Sequence, residues 1–160
     1  MLYDNIMVPF DGSASAHAAL DEAIRFAKDD PGAALVIVQI LDTEKLVIAK
    51  LEAAGRRRDS VTSDELHTLY DEAVDDADKK LHRQIDGKLK DLMNKITVEL
   101  LEETVPGEQI VTYAAEHDCD LVVMGSRGLG AIRGILGSVS SYVLREADVP
   151  VLIVKEGTNV

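Results

Sequence analysis

The sequence predicts an α/β fold: a doubly wound, five-stranded parallel sheet with helices on both faces. Three observations carry that expectation. The run Leu35-Val36-Ile37-Val38-Gln39-Ile40-Leu41 is apolar almost throughout instead of alternating, as a strand buried on both faces of a parallel sheet reads. Runs of this kind alternate along the chain with stretches of helical periodicity, so strand-helix-strand units repeat, and such units cross over right-handedly. The stretch from Leu121 to Val154 condenses the pattern into an apolar run, a glycine-rich turn, a helix opening at Gly137-Ser138, and a second apolar run.

Taken in order, Ile6-Met7-Val8-Pro9-Phe10 is the first strand. Pro9 cannot donate to a ladder, which suits a strand terminus, and Asp11-Gly12-Ser13 breaks the run. Ala16, Ala19, Leu20, Ala23 and Ala27 recur at helical spacing with Ser13 or Ser15 as the cap, until Asp29-Asp30-Pro31-Gly32 stops the helix. Leu35 to Leu41 is the second strand. Residues 43–61 are the least regular part; Leu46 to Leu51 reads as a short helix at most. Arg56-Arg57-Arg58 fits a mobile flap reaching toward phosphates, or, more ordinarily, a solvated loop neutralising nearby carboxylates.

A long helix follows. Thr62 and Glu65 have capping-box spacing. Leu66, Leu69, Ala73, Ala77, Leu81, Ile85, Leu89, Leu92 and Ile96 make one apolar stripe, so the helix is expected to end near Lys95. Gly87 weakens it by roughly 1 kcal/mol relative to alanine. Asp71, Glu72, Asp75, Asp76 and Asp78 read as a solvated face, since hard-cation sites gather their oxygens from a turn. Thr97-Val98-Glu99-Leu100-Leu101 is less uniformly apolar and reads as an edge strand. Pro106-Gly107-Glu108 starts a helix with Ile110, Val111 and Ala114 inward. Leu121 to Met124 and Val149 to Val154 are strands four and five.

Composition narrows the function. The 160 residues suffice for one domain over residues 1–160 with a real core, and the core is aliphatic, since 46% of residues are apolar and few are aromatic. Seventeen basic against 29 acidic residues leave a formal charge of -12, which repels nucleic-acid backbone and anionic membranes. Any anionic ligand must therefore be held locally. Cys119 is the only cysteine, so no intrachain disulfide forms, as in a reducing cytoplasm. Met1-Leu2-Tyr3-Asp4-Asn5 lacks the basic region and apolar core of a signal peptide, and no run approaches the ~20 apolar residues of a membrane span. A cytoplasmic protein is expected. His17, His67, His82 and His117 are scattered, and no spacing suggests a catalytic nucleophile.

The glycine stretch carries the chemistry. Gly125-Ser126-Arg127-Gly128-Leu129-Gly130 can bring bare backbone close to a ligand. Gly137, Ser138 and Ser140 stand where a helix start offers unpaired N–H groups and the positive end of its dipole. Together they make an anion site that needs no lysine, and Arg127 adds a cation. The ordinary alternative is that the glycines serve only the turn and Ser138 only caps the helix. The spacing is neither a Walker loop nor the dinucleotide fingerprint.

These residues resemble the universal stress proteins, whose nucleotide-binding members carry glycine, two residues, glycine, nine residues, then glycine with serine or threonine. Gly125, Gly128 and Gly137-Ser138 match, with eight residues instead of nine between Gly128 and Gly137. Pro9-Phe10-Asp11 matches the family's Pro-x-Asp after strand one, whose aspartate meets adenine, and Ile40 holds the place of an aliphatic residue beside the base. For Asp11 alone an Asx turn would be the simpler reading. The resemblance runs from Met7 to Lys155, with residues 43–62 a variable insert. It implies a Rossmann-like sheet in the order 3-2-1-4-5. It also implies a nucleotide site of Pro9, Phe10, Asp11, Ile40, Met124, Gly125, Arg127, Gly128, Gly137, Ser138, Val139 and Ser140, holding ATP with Mg2+. A homodimer is expected through the Val149–Val154 edge, with the tail 155–160 covering that edge as the monomeric alternative. Three functions follow: an ATP-binding stress-response regulator, a dimeric scaffold without ATP, or a slow ATPase.

Overall fold

The continuously apolar strands are buried on both faces, and each face makes its own core. The structure is a computed structural model describing residues 2–102, 105–129 and 134–157. Its strands are β1 (Asn5–Pro9), β2 (Ala34–Leu41), β3 (Ile96–Glu102), β4 (Leu121–Gly125) and β5 (Val151–Val154). They form one parallel sheet in the order β3-β2-β1-β4-β5. The helices are α1 (Ala14–Asp29), α2 (Thr43–Ala53), α3 (Ser63–Leu89), α4 (Pro106–Glu116) and α5 (Ser138–Glu146).

Strand alternation sorts the side chains. Ile6, Val8, Leu35, Ile37, Leu121 and Val123 point to one face, where α1 and α3 cover them. Met7, Val36, Val38, Val122 and Met124 point to the other, under α4 and α5. Each such fully buried aliphatic contributes about 1.5–3 kcal/mol of transfer free energy. Truncating Ile37, fully buried at the middle of β2, removes one of these and leaves a cavity. α1 starts where Ser13 Oγ accepts from Ala16 N–H at 3.2 Å. α3 starts with a complete capping box: Thr62 Oγ1 accepts from Glu65 N–H, and Glu65 Oε2 from Thr62 N–H at 2.7 Å.

The strand order places the crevice. β1 pairs with β4 only through Ile6 opposite Leu121 and Met7 opposite Val122. β1 continues against β2 as far as Pro9, and β4 against β5 as far as Gly125. Beyond that short ladder β1 and β4 part, and the chain leaves β1 for one face and β4 for the other. A doubly wound sheet binds its ligands at this switch point.

Three expectations are corrected. Residues 43–53 are a helix, α2, capped by Asp42, whose Oδ1 accepts from Lys45 N–H at 3.1 Å. Val47 and Leu51 pack it onto Ala73 of α3, a contact too far along the chain for local periodicity to show. α3 ends at Leu89, not near Lys95. The apolar stripe runs past its end because Leu92, in the following turn, and Ile96, in β3, pack on the same core. The fifth strand begins at Val151, not Val149; Pro150 has no N–H and contributes only its carbonyl, which accepts from Val122 N–H at 3.0 Å. The arginine cluster follows its more ordinary reading and neutralises nearby carboxylates. Arg58 pairs with Glu44, Arg56 with Glu65 and Arg57 with Asp59, all exposed pairs of little energetic weight.

The amino-terminal end of the sheet is tied by side chains. Asn94 Nδ2 lies 2.9 Å from the carbonyls of Ala27, Asp30 and Ala33, joining the end of α1 and the start of β2 to the turn before β3. Asp120 accepts from the N–H groups of Asp4 and Asn5 at 2.7 and 3.0 Å, joining β1 to β4. Among the described residues no helix is long and apolar enough to cross a membrane.

Candidate functional site in the crevice between β1 and β4

A cleft of about 180 Å³ opens where β1 and β4 part. One part of its wall is apolar: Pro9 and Phe10 from β1 and its exit, Val38 and Ile40 from β2, Met124 from β4, and Ile110 from α4. The other part is polar or bare backbone: Asp11, Ser13, Arg127, Gly128 and Ser140. A more polar recess of about 220 Å³ adjoins it and shares Ser13, Arg127 and Gly128. The arrangement can take a flat apolar ring on one side and an anion on the other.

Ten of the twelve residues singled out from the sequence line this cleft: Pro9, Phe10, Asp11, Ile40, Met124, Gly125, Arg127, Gly128, Val139 and Ser140. Gly137 and Ser138 lie outside its wall, at the start of α5. There Gly137, not Ser138, is the N-cap, and Ser138 is exposed. Gly130 lies outside the described residues.

The glycines have different jobs. A Cβ on Gly125 would stand 2.7 Å from Ser15 C and 2.8 Å from Ala16 N, so bare backbone is what lets α1 lie under β4. A Cβ on Gly128 would meet only Asp11 Oδ2, at 3.0 Å; here the loops after β1 and β4 touch. Around Gly137 a Cβ has ordinary contacts of 3.4–3.6 Å with Arg127, Ser126 and Gly128.

Backbone and hydroxyls hold the loop. Gly137 N–H donates to Ser126 C=O at 2.8 Å and closes the loop at its base. Ser15 Oγ donates to Arg127 C=O at 2.6 Å, Ser13 Oγ donates to the same carbonyl at 3.2 Å, and Ser140 Oγ donates to Gly125 C=O at 2.8 Å. α5 carries no side-chain cap, so the N–H groups of Ser138, Val139 and Ser140 have neither a cap nor an intrahelical partner. They present the positive end of the helix.

Charges complete the picture. Asp11 Oδ1 accepts from Ser13 N–H at 2.9 Å, an Asx turn that still leaves Oδ2 toward Gly128. Arg127 is not an isolated cation: its guanidinium pairs with Glu156, two residues past β5. His17 stacks edge-on against Phe10 with centroids 4.9 Å apart. Burial, and then the charge of Lys88, hold its pKa below the ordinary value. Cys119 lies in the turn before β4, at the far end of the sheet; burial, then Asp120 and Asp118, push its thiol up to about 11. Tyr113 under the sheet is pushed up to about 12 by burial and then Glu99.

Sequence reasoning missed Ser15 as a loop anchor, Val38 and Ile110 as wall residues, and Glu156. Ser13 and Ser15 stood out only as alternative caps. Val38 and Ile110 looked like any core aliphatic. Glu156 gave no local signal, because its partner is 29 positions away.

Known proteins share this fold. The chain matches the model of the Universal stress protein family over residues 2–155. A universal stress protein of Methanocaldococcus jannaschii is 30% identical over 156 residues, covering 97% of this chain and 84% of that one. A universal stress protein from Archaeoglobus fulgidus, solved in complex with dAMP, superposes with a TM-score of 0.63 at 25% identity, over 97% of this chain and 100% of that one. Another, solved in complex with cAMP, has a TM-score of 0.58 at 26% identity, over 97% and 98% of the two chains.

Proposed function

The chain belongs to the universal stress protein family, and on that premise we propose that it is a stress-response protein that binds an adenine nucleotide, ATP or a shorter one, in the crevice between β1 and β4. The observation that carries this reading is the meeting of an apolar slot with an uncapped helix start at the switch point of the sheet. The slot of Pro9, Val38, Ile40 and Met124 receives the base, and Asp11 accepts from the base or ribose. The backbone N–H groups of Gly128, Ser138, Val139 and Ser140 take phosphate. Two relatives with this fold are complexes of adenine nucleotides, dAMP and cAMP, which supports the choice of base.

Magnesium fits the site in a restricted way. The ion is usually held by one or two carboxylates together with phosphate oxygens and water. Asp11 is the one carboxylate in the cleft wall among the described residues, and half of it is engaged by Ser13 N–H. A bound Mg2+ would rest mainly on phosphate and water, supplying charge neutralisation.

The readout is a homodimer. β5 pairs with β4 alone, its residues are half-buried, and Leu144 of the neighbouring α5 is 51% exposed. A second copy pairing along this edge would remove an unpaired apolar strand from solvent.

The first test is to purify the protein without added nucleotide, denature it, and resolve the supernatant by ion exchange at 260 nm. We expect about one adenine nucleotide per chain, or heat on titration with AMP or Mg-ATP. An empty trace and a flat titration would reject nucleotide binding and leave the second reading, a dimeric scaffold. That reading is favoured by one observation, the eight-residue spacing between Gly128 and Gly137. Single-turnover assay of bound ATP separates slow hydrolysis from plain binding.

A further inference from the structure

Arg127 forms part of the nucleotide cleft and of the polar recess beside it, and its guanidinium already has an anion. The pair is sheltered: the Arg127 side chain is 15% exposed and that of Glu156 33%. Partial burial makes such a pair stronger than an exposed one. The charged side chains lining the cleft and the recess, among the described residues, are Asp11, Arg127 and Glu156: one cation between two carboxylates. The chain as a whole, at -12, adds no attraction for an anion.

We propose that Glu156 is a specificity-determining residue that tunes this crevice to adenine nucleotides carrying a single phosphate and disfavours the triphosphate. The inference rests on the nucleotide reading of the crevice. With Arg127 neutralised, the anion is held by the backbone N–H groups of Gly128 and of the first turn of α5. A helix start handles one phosphate well. A phosphate monoester carries about -1.5 to -2 charges at neutral pH, and a cyclic diester one. A triphosphate brings two more phosphates and their charge to a loop flanked by Glu156 and Asp11. Drawing Arg127 onto the added phosphates takes it from Glu156, so the triphosphate's affinity carries the cost of breaking that pair. Magnesium reduces the difference without reversing it. No covalent step is involved, and Glu156 acts through Arg127.

The test is calorimetric titration of the full chain with AMP and with ATP, each with and without Mg2+, for the native protein, Glu156→Gln and Glu156→Lys. The native protein is expected to bind AMP more tightly than ATP. Glu156→Gln raises ATP affinity about tenfold and AMP affinity by less than about threefold, and Glu156→Lys shifts the ratio further in the same direction. Raising the salt concentration narrows the native preference, which a purely structural role of Glu156 would not do. Thermal melting of each variant verifies that it is folded, and Glu156→Asp, which keeps the carboxylate, should retain the preference. AMP binding with an unchanged ATP-to-AMP ratio in both charge variants, or a native preference for ATP, overturns the role of Glu156 and leaves the crevice reading standing. Failure of the native protein and all variants to bind either nucleotide overturns both.

Discussion

The two ends of the sheet are built on opposite principles. At the amino-terminal end, side chains fill the backbone: Asn94 faces three carbonyls, and Asp120 takes two N–H groups. At the carboxyl-terminal end, hydroxyls occupy carbonyls, while the N–H groups that open α5 are left without a cap. The difference teaches where stability and binding are stored. An end with both donors and acceptors satisfied is a latch. An end with only its acceptors satisfied has donors to offer an anion.

The contrast can be broken hardest at Gly125, a structural glycine at the binding end. Gly125→Val drives a side chain into the backbone of α1. We expect a loss of about 3 kcal/mol in urea denaturation, the upper end of what overpacking typically costs, or no folded protein at all. A native-like melting curve would show that α1 can shift. Gly137→Val should do the reverse. Its first carbon meets only ordinary contacts, and the φ of -62° suits any residue, so the fold persists. On the proposed reading the branched side chain then crowds the phosphate approach, and nucleotide affinity should fall by about 3 kcal/mol, near a hundredfold or more. Unchanged affinity in titration would remove the start of α5 from the site.

The latch is tested at Asn94. Asn94→Ala leaves three carbonyls without their shared donor, and stability should fall by about 1–3 kcal/mol with nucleotide affinity untouched. A change in affinity would mean that the two ends are coupled. The smallest expected effects sharpen the comparison by pH. His17 packs against the cleft wall, and its pKa is lowered by burial and then by Lys88, so its neutral form is favoured in the fold. Stability drops as pH falls through about 6.5 toward the lower folded value. His82 on α3 has its pKa raised, first by its hydrogen bond to Asp86, so its contribution is full below about 6.5 and fades as pH rises through the folded value. Denaturation at pH 5.5 and 8.5 should show His17→Gln relatively more stable than the native protein at the acid end. His82→Gln should be less stable there by a few tenths of a kcal/mol, given its exposure.

Much of this molecule was legible in the order of its residues. Apolar runs marked all five strands to within about two residues, and in β1, β2 and β4 the runs are continuous because two-sided burial leaves no room for alternation. Thr62 and Glu65 announced the start of α3, since a capping box is a contact three residues long. The end of α3 was misplaced because Leu92 continues the apolar stripe after the helix has stopped. α2 was under-read because its apolar face answers to Ala73, far along the chain. In the crevice, Asp11 and the glycines were visible as local turn chemistry. Ser15, Asn94 and Glu156 were not, since each acts on backbone or charge brought near only by the folded sheet.

The short ladder between β1 and β4 has a mechanical meaning. Two residue pairs join a three-stranded plate, β3-β2-β1, to a two-stranded plate, β4-β5. α1 lies under both, and its close approach to Gly125 makes it the splint across the seam. Amide protons that bond across the β1-β4 ladder should therefore exchange through a smaller opening than those of the long β2-β3 ladder. A molecule wedged in the mouth of the seam, touching Asp11 on one plate and Gly128 on the other, would stitch the plates together. It would slow that exchange without altering a single contact at its far end.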